Sequence, residues 1–119
     1  DCYNANPASV KASLNVLGLA RGRKIAVLGD MRELGEKSRD LHLGLQEHIN
    51  ENHVDLVFAV GQELKILYDA LPADKKGGYA DKSEEIAVPL RMALRTGDTV
   101  LVKGSNSMNM SRILKELTK

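Results

Sequence analysis

A lysine ends the most apolar segment near the C-terminus of the chain. Lys103 follows the aliphatic run at residues 100–102 and precedes Gly104 and Ser105. A lysine at the end of an apolar run is unusual, because lysine side chains normally keep their ammonium group in water. We predict that the ammonium binds an anionic group, either a carboxylate or phosphate oxygens. The alternative is a charged strand end that reaches solvent.

Two earlier apolar runs also end in glycine. Residues 25–28 lead into Gly29 and Asp30, and residues 56–60 lead into Gly61. Ligands of open α/β sheets bind just beyond the carboxyl ends of the strands, so we expect the function at this edge. Asp30 is expected either to cap the following turn or to have a role in domain closure or substrate contact.

Several kinds of site are excluded by motifs that the sequence lacks. It has no G-x-G-x-x-G and no G-x-x-x-x-G-K-[ST], which argues against a dinucleotide-dependent redox domain and a self-contained ATPase. A single cysteine, Cys2, and histidines that share no helical face give no metal site. A net charge of +1 predicts no nucleic-acid partner, and no apolar run is long enough to span a membrane.

The elements that must position these residues alternate between helix and strand. Asn6 and Pro7 are a good N-cap and first helical residue, and later helices are predicted from Ser38, before Pro72, from the pair Asp81 and Glu84, and at the C-terminus. Strands are predicted at residues 24–30, 55–60 and 99–104, with a weak one at residues 78–80. Pro89 predicts a kink or a late start in its helix.

This alternation predicts one α/β domain over residues 1–119. The expected architecture is Rossmann-like, with a mostly parallel sheet and helices on both faces. Aromatic residues make up only 3% of the chain, so its core must be aliphatic.

Three segments resemble the Mur ligases of the type that adds D-alanyl-D-alanine to a peptidoglycan precursor. Residues 1–7 read DCYNANP, close to the D-x-Y-N-A-N-P of that family's C-terminal domain. Residues 28–35 read LGDMRELG, followed by Ser38 and His42 as in the family. Residues 102–108 read VKGSNSM, where the family has V-K-G-S-R-S-M, so Asn106 replaces an arginine and loses a positive charge.

The resemblance implies that the chain is the C-terminal part of a three-domain enzyme. In that enzyme ATP, with Mg²⁺, activates the carboxylate of UDP-N-acetylmuramoyl-tripeptide, and the amine of D-alanyl-D-alanine attacks it. The central domain holds most of the nucleotide and the N-terminal domain holds the UDP-sugar, while this domain closes over them in the bacterial cytoplasm. The alternatives are a domain of another Mur or folylpolyglutamate-type ligase and a free-standing α/β binding module.

The resemblance also assigns roles to individual residues. It places no catalytic residue in this chain, and the domain alone is expected to be inactive. Nucleotide contacts are expected from Asp1, Tyr3, Asn4 and Asn6, although Asn6 is equally expected as a helix cap and Tyr3 as a packing residue. Substrate contacts are expected from Asp30, Glu33, His42, Lys103, Ser105, Asn106 and Ser107. Ser107 has the alternative of capping the last helix, and His42 that of an ordinary helix residue.

Overall fold

A single parallel sheet forms the centre of the molecule. The computed structural model describes residues 5–117, whose four strands lie in the order β3-β2-β1-β4, with every neighbouring pair parallel. The strands are β1 (Lys24–Gly29), β2 (Leu56–Val60), β3 (Lys76–Ala80) and β4 (Thr99–Lys103). The predicted Rossmann-like fold is confirmed, and β3 begins two residues earlier than the sequence suggested.

Helices cover both faces of this sheet. They are α1 (Pro7–Leu17), α2 (Ser38–Leu43), α3 (Leu45–Glu51), α4 (Lys65–Ala70), α5 (Ala87–Ala93) and α6 (Ser111–Leu117). Successive residues of a strand face opposite sides, so Ala26 and Leu28 pack with α1, α3 and α4 while Ile25 and Val27 pack with α5 and α6. No helix between residues 5 and 117 is long and apolar enough to cross a membrane.

The first helix begins as its sequence predicts. The Asn6 side chain accepts a hydrogen bond from the Ser9 amide at 2.8 Å, and the Asn6 amide donates to the Ser9 hydroxyl at 3.0 Å. This reciprocal pair satisfies donors that the first helical turn leaves open. Val10, Leu14 and Leu17 are buried on one face, and the helix ends before Gly18.

The second predicted helix is two shorter helices. Gly44 separates α2 from α3, since glycine adds no side-chain packing and has a low helix propensity. The prediction that Ser38 caps this helix is wrong, because its hydroxyl lies 3.2 Å from the Nδ1 atom of His42. The buried stripe therefore contains His42, Leu45 and Ile49, whereas Leu41 is only half-buried.

The predicted capping pair before α5 is also wrong. Residues Ser83–Glu85 form a 3₁₀ turn without a side-chain cap, and the Asp81 and Glu84 carboxylates face Tyr79 and Arg112 instead. The helix starts late, at Ala87, so Pro89 lies in its first turn, where its missing N–H costs little.

The strand order creates a switch point at β1. The chain proceeds from β1 to β2 and β3 on one side, and β4 then pairs with the opposite side of β1. Loops that leave neighbouring strands in opposite directions open a crevice at the carboxyl ends, which is where ligands of such sheets bind. The sheet therefore brings the loops after β1 and β4 together at the edge where the sequence analysis expected ligands.

We predict that the core makes this chain fold cooperatively by itself. Leu14 is fully buried on the inner face of α1, so Leu14→Ala should lower the free energy of unfolding by about 2–5 kcal/mol. Leu19 is 83% exposed, and Leu19→Ala should change it by less than about 0.5 kcal/mol. Urea unfolding of the two variants gives both values. Equal effects, or a broad non-cooperative transition of the parent chain, would contradict this account of the core.

Candidate functional site

Asp30 lies at the junction of three strand ends. Its backbone N–H donates to the Val60 carbonyl at 3.1 Å, and its carbonyl accepts from the Ser105 N–H at 3.2 Å. Its carboxylate oxygen Oδ1 accepts from the Leu64 N–H at 2.9 Å, just before α4 begins. One residue after β1 is therefore bonded to the last residue of β2, to the loop that follows β2 and to the loop that follows β4.

The carboxyl group of Asp30 is buried, with 1% of the residue exposed. Burial raises the pKa of Asp30, against the opposing effect of hydrogen bonds from the Leu64 and Glu63 amides. Gly61 makes this placement possible, because a Cβ atom there would lie 2.3–2.4 Å from the carboxylate atoms. Gly61 also has a φ of +110°, which side chains disfavour. The carboxylate thus binds the backbone just before α4 and does not cap the turn that follows Asp30.

His42 is buried behind the same loop. Its Nε2 atom accepts from the Met31 N–H at 2.9 Å, and its Nδ1 atom lies 2.7 Å from the Ser38 carbonyl oxygen. A neutral ring with its hydrogen on Nδ1 satisfies both contacts. Since both nitrogens bind the chain itself and the residue is 0% exposed, the structure places His42 as a support for the loop after β1.

A cleft of about 460 Å³ opens at the carboxyl edge of the sheet. The loop after β1 lines it with Asp30 and Arg32, and the loops after β2, β3 and β4 line it with residues 61–63, 81–84 and 107–109. All four strand ends therefore contribute to one cavity.

Arg32 supplies positive charge on the β1 and β4 side of the cleft. Its Nε atom donates to the Ser107 hydroxyl at 3.2 Å, and Nη2 donates to the Met108 sulfur at 3.0 Å. Nη2 also lies 3.9 Å from the Oδ2 atom of Asp30. Arg32 was not among the site residues predicted from the sequence, although its position two residues beyond Asp30 in the same loop was a usable signal.

Tyr79 joins the loops after β2 and β3. Its hydroxyl lies 2.9 Å from the Gly61 carbonyl oxygen and 3.2 Å from the Oδ1 atom of Asp81. Burial is the largest cause, and the hydrogen bond to Asp81 the second, of a rise in the pKa of Tyr79 to about 12. The hydroxyl therefore keeps its hydrogen for these acceptors. Tyr79 was not predicted as a site residue either, because nothing in the weak sequence pattern of β3 distinguishes it.

Lys103 is buried at the end of β4 but does not line the cleft. Only 4% of it is exposed, and its register partner in β1 is Leu28. Strand alternation places it on the same face as Leu101, towards α1. Its predicted alternative, a charged end reaching solvent, does not fit this burial.

The remaining predicted residues are divided between the cleft and its surroundings. Ser107 lines the cleft, and its hydroxyl lies 3.0 Å from that of the buried Ser105. Ser107 does not cap the last helix, which begins at Ser111. Glu33 is exposed outside the lining, with a φ of +62°.

The N-terminal nucleotide-binding prediction is only partly covered by the structure. Asn6 is exposed and its side chain caps α1. Asp1, Tyr3 and Asn4 lie outside the described residues, as does the side chain of Asn106.

Comparison with known proteins gives one consistent result. A family model described as "Mur ligase, glutamate ligase domain" matches residues 1–106. The UDP-N-acetylmuramoyl-tripeptide–D-alanyl-D-alanine ligase of Haemophilus influenzae is 34% identical over an alignment 122 positions long, which covers 98% of this chain and 26% of that protein.

Solved structures agree with this match. A MurF ligase from Thermotoga maritima, in complex with ADP, superposes with a TM-score of 0.83 and 33% identity, over 98% of this chain and 26% of that one. A MurF from Acinetobacter baumannii gives a TM-score of 0.85 and 31% identity, over 98% and 27%. The chain thus spans about a quarter of the length of the relatives it matches.

The buried carboxylate of Asp30 generates a prediction for stability. Asp30→Ala leaves the Leu64 amide without its acceptor and should lower the free energy of unfolding by about 1–3 kcal/mol. Asp30→Asn keeps an acceptor and should lower the free energy of unfolding by less. Chemical denaturation at neutral pH compares the two variants. Equal losses would show that the hydrogen bond to Leu64 does not matter.

The same carboxylate generates a prediction for pH dependence. The pKa of Asp30 is raised in the folded state, so burying the charge penalises folding at neutral pH, and the penalty disappears as pH falls below the unfolded pKa. From pH 7 to pH 4, the wild type should therefore gain stability relative to Asp30→Asn. A difference that stays constant, or changes with the opposite sign, would contradict the burial of a charged carboxylate.

The two hydrogen bonds of His42 predict a structural cost for its removal. His42→Ala leaves the buried Met31 N–H unpaired and opens a cavity, so we expect a loss of about 2–4 kcal/mol. Arg39 is exposed on the same helix, and Arg39→Ala should change stability by less than about 0.5 kcal/mol. Thermal melts of both variants test this, and a His42→Ala variant as stable as the control would refute the supporting role.

Proposed function

We propose that this chain, which belongs to the Mur ligase family, is the closing C-terminal domain of an ATP-dependent ligase that joins D-alanyl-D-alanine to UDP-N-acetylmuramoyl-tripeptide. The named relatives support this activity over nearly the full length of the chain. The rest of such an enzyme accounts for the other three quarters of its relatives' length.

One observation carries the proposal: loops from all four strand ends meet around a single cleft at the switch point. A cavity of this kind, open on one side, is suited to a domain that completes a site when it closes on a neighbour. In the proposed reaction, the tripeptide carboxylate is activated by phosphoryl transfer from ATP, and the dipeptide amine displaces phosphate. The cleft then holds the dipeptide with its amine turned towards the activated carboxylate.

The two sides of β4 suit different substrates. The helix α1 ends next to the start of β1, so it begins at the carboxyl edge, on the face that also carries Lys103. The Oδ1 atom of Asn6 already accepts a hydrogen bond from the Ser9 amide. The Nδ2 group of Asn6 has no partner within residues 5–117, so it is suited to donate to a ribose hydroxyl or a base nitrogen. We propose that the nucleotide binds on this side and that the dipeptide binds in the cleft.

The rest of the enzyme must supply the phosphoryl transfer and most of the nucleotide binding. No residue of this chain transfers a phosphoryl group in this proposal, and Mg²⁺ and most contacts to ATP belong to the central domain. Because ATP and UDP-linked precursors are metabolites of the cell interior, we place the reaction in the bacterial cytoplasm.

We predict that residues 1–119 alone release no phosphate above background. The chain contains no phosphate-cradling G-x-x-x-x-G-K-[ST] loop, so it should need the central domain for chemistry. A coupled phosphate assay with ATP, Mg²⁺, UDP-tripeptide and D-alanyl-D-alanine tests this, with the full-length enzyme as the positive control. Omitting the dipeptide should abolish turnover by the full-length enzyme. Turnover by the isolated chain, or full-length turnover that ignores the dipeptide, would refute the proposal.

A further inference from the structure

We infer that Arg32 determines the specificity of the cleft by binding the free carboxylate of the incoming dipeptide. This inference rests on the proposed function and assigns a residue to one end of its second substrate. It depends on how Arg32 is held, on which donor it leaves open, and on the distribution of charge around it.

Arg32 is held along one side and open on the other. Contacts with Ser107 and Met108 fix the guanidinium across the loops after β1 and β4, yet half of the side chain, 50%, stays exposed. In the described part of the chain, Nη1 has no partner. A planar guanidinium with a fixed orientation and free N–H groups is the side chain best suited to a carboxylate, which it can bind through two parallel hydrogen bonds.

The neighbouring carboxylate of Asp30 forms an ion pair with Arg32 but no hydrogen bond. Asp30 Oδ2 lies 3.9 Å from Nη2, beyond hydrogen-bonding distance, while the Oδ1 atom of the same residue accepts from Leu64. Asp30 is buried under Gly61, so it cannot move out to close the gap without disturbing the end of β2. The guanidinium therefore remains available to an anion in the cleft.

Charge is distributed unevenly around the cleft. Arg32 is the exposed charge on the β1 and β4 side, where the carboxylate of Asp30 is buried, whereas Glu63, Asp81 and Glu84 belong to the loops after β2 and β3. Lys82 shares that acidic side. A dipeptide has one carboxylate and one amine, so its carboxylate fits the Arg32 side and its amine fits the acidic side. A substrate with a second carboxylate would meet like charge there.

The experiment uses the full-length enzyme with Arg32→Met, which removes the charge and keeps a long apolar side chain. We expect kcat/KM for D-alanyl-D-alanine to fall about ten- to a hundredfold, the effect of losing a charge-assisted contact. The KM values for ATP and UDP-tripeptide should stay within about twofold, and Arg32→Lys should recover part of the loss. Arg21→Met is the matched control, because Arg21 is exposed in the turn before β1, at the opposite edge of the sheet.

A substrate variant makes the test specific to the carboxylate. The wild-type enzyme should use the C-terminal carboxamide of D-alanyl-D-alanine about ten- to a hundredfold less efficiently, and Arg32→Met should lose this discrimination. Equal discrimination in wild type and Arg32→Met would overturn the inference. So would a wild-type enzyme that does not discriminate, a result that remains decisive even if Arg32→Met fails to fold. Failure of the proposed function is a separate result, in which the wild-type enzyme shows no turnover that depends on the dipeptide.

Discussion

The buried carboxylate of Asp30 is the constraint on which the carboxyl edge depends. A charged group that is removed from water must be hydrogen-bonded, and here the bonds come from the start of α4. Its backbone at the same time joins the last residue of β2 and the loop after β4. Gly61 makes this arrangement possible, since only a residue without a side chain leaves room for the Asp30 carboxylate.

Two further residues complete this framework. His42 holds the loop after β1 from the α2 side through the Met31 amide, and Tyr79 joins the loops after β2 and β3 through Gly61 and Asp81. With these contacts the cleft walls are fixed before any ligand binds, which lowers the cost of ordering them on binding. We propose that the polar residues held in place by these contacts bind the substrate. Arg32 is the residue for which the structure gives the strongest argument.

Sequence patterns predicted the strands and a mostly parallel sheet, because apolar runs that end in glycine can be recognised from neighbouring residues alone. The expectation that ligands bind at the carboxyl edge of that sheet followed from these two predictions. They did not predict which side chains meet across that edge. Lys103 was the expected cation of the site, but strand alternation turns it towards α1, and Arg32 takes the cleft through a contact with Ser107 that is 75 residues away in sequence. The prediction of a capping pair at Asp81 and Glu84 was wrong for the same reason, since Asp81 faces Tyr79 in the folded chain.

Hydrogen–deuterium exchange of the full-length enzyme tests most directly whether this edge is the binding edge. With UDP-tripeptide, a non-hydrolysable ATP analogue and D-alanyl-D-alanine bound, exchange should slow in the strand-end loops at residues 30–34, 61–64, 81–85 and 105–109. The turns at the opposite edge, at residues 18–23 and 94–98, should exchange as before. Protection confined to that opposite edge, or none in the strand-end loops, would contradict the account.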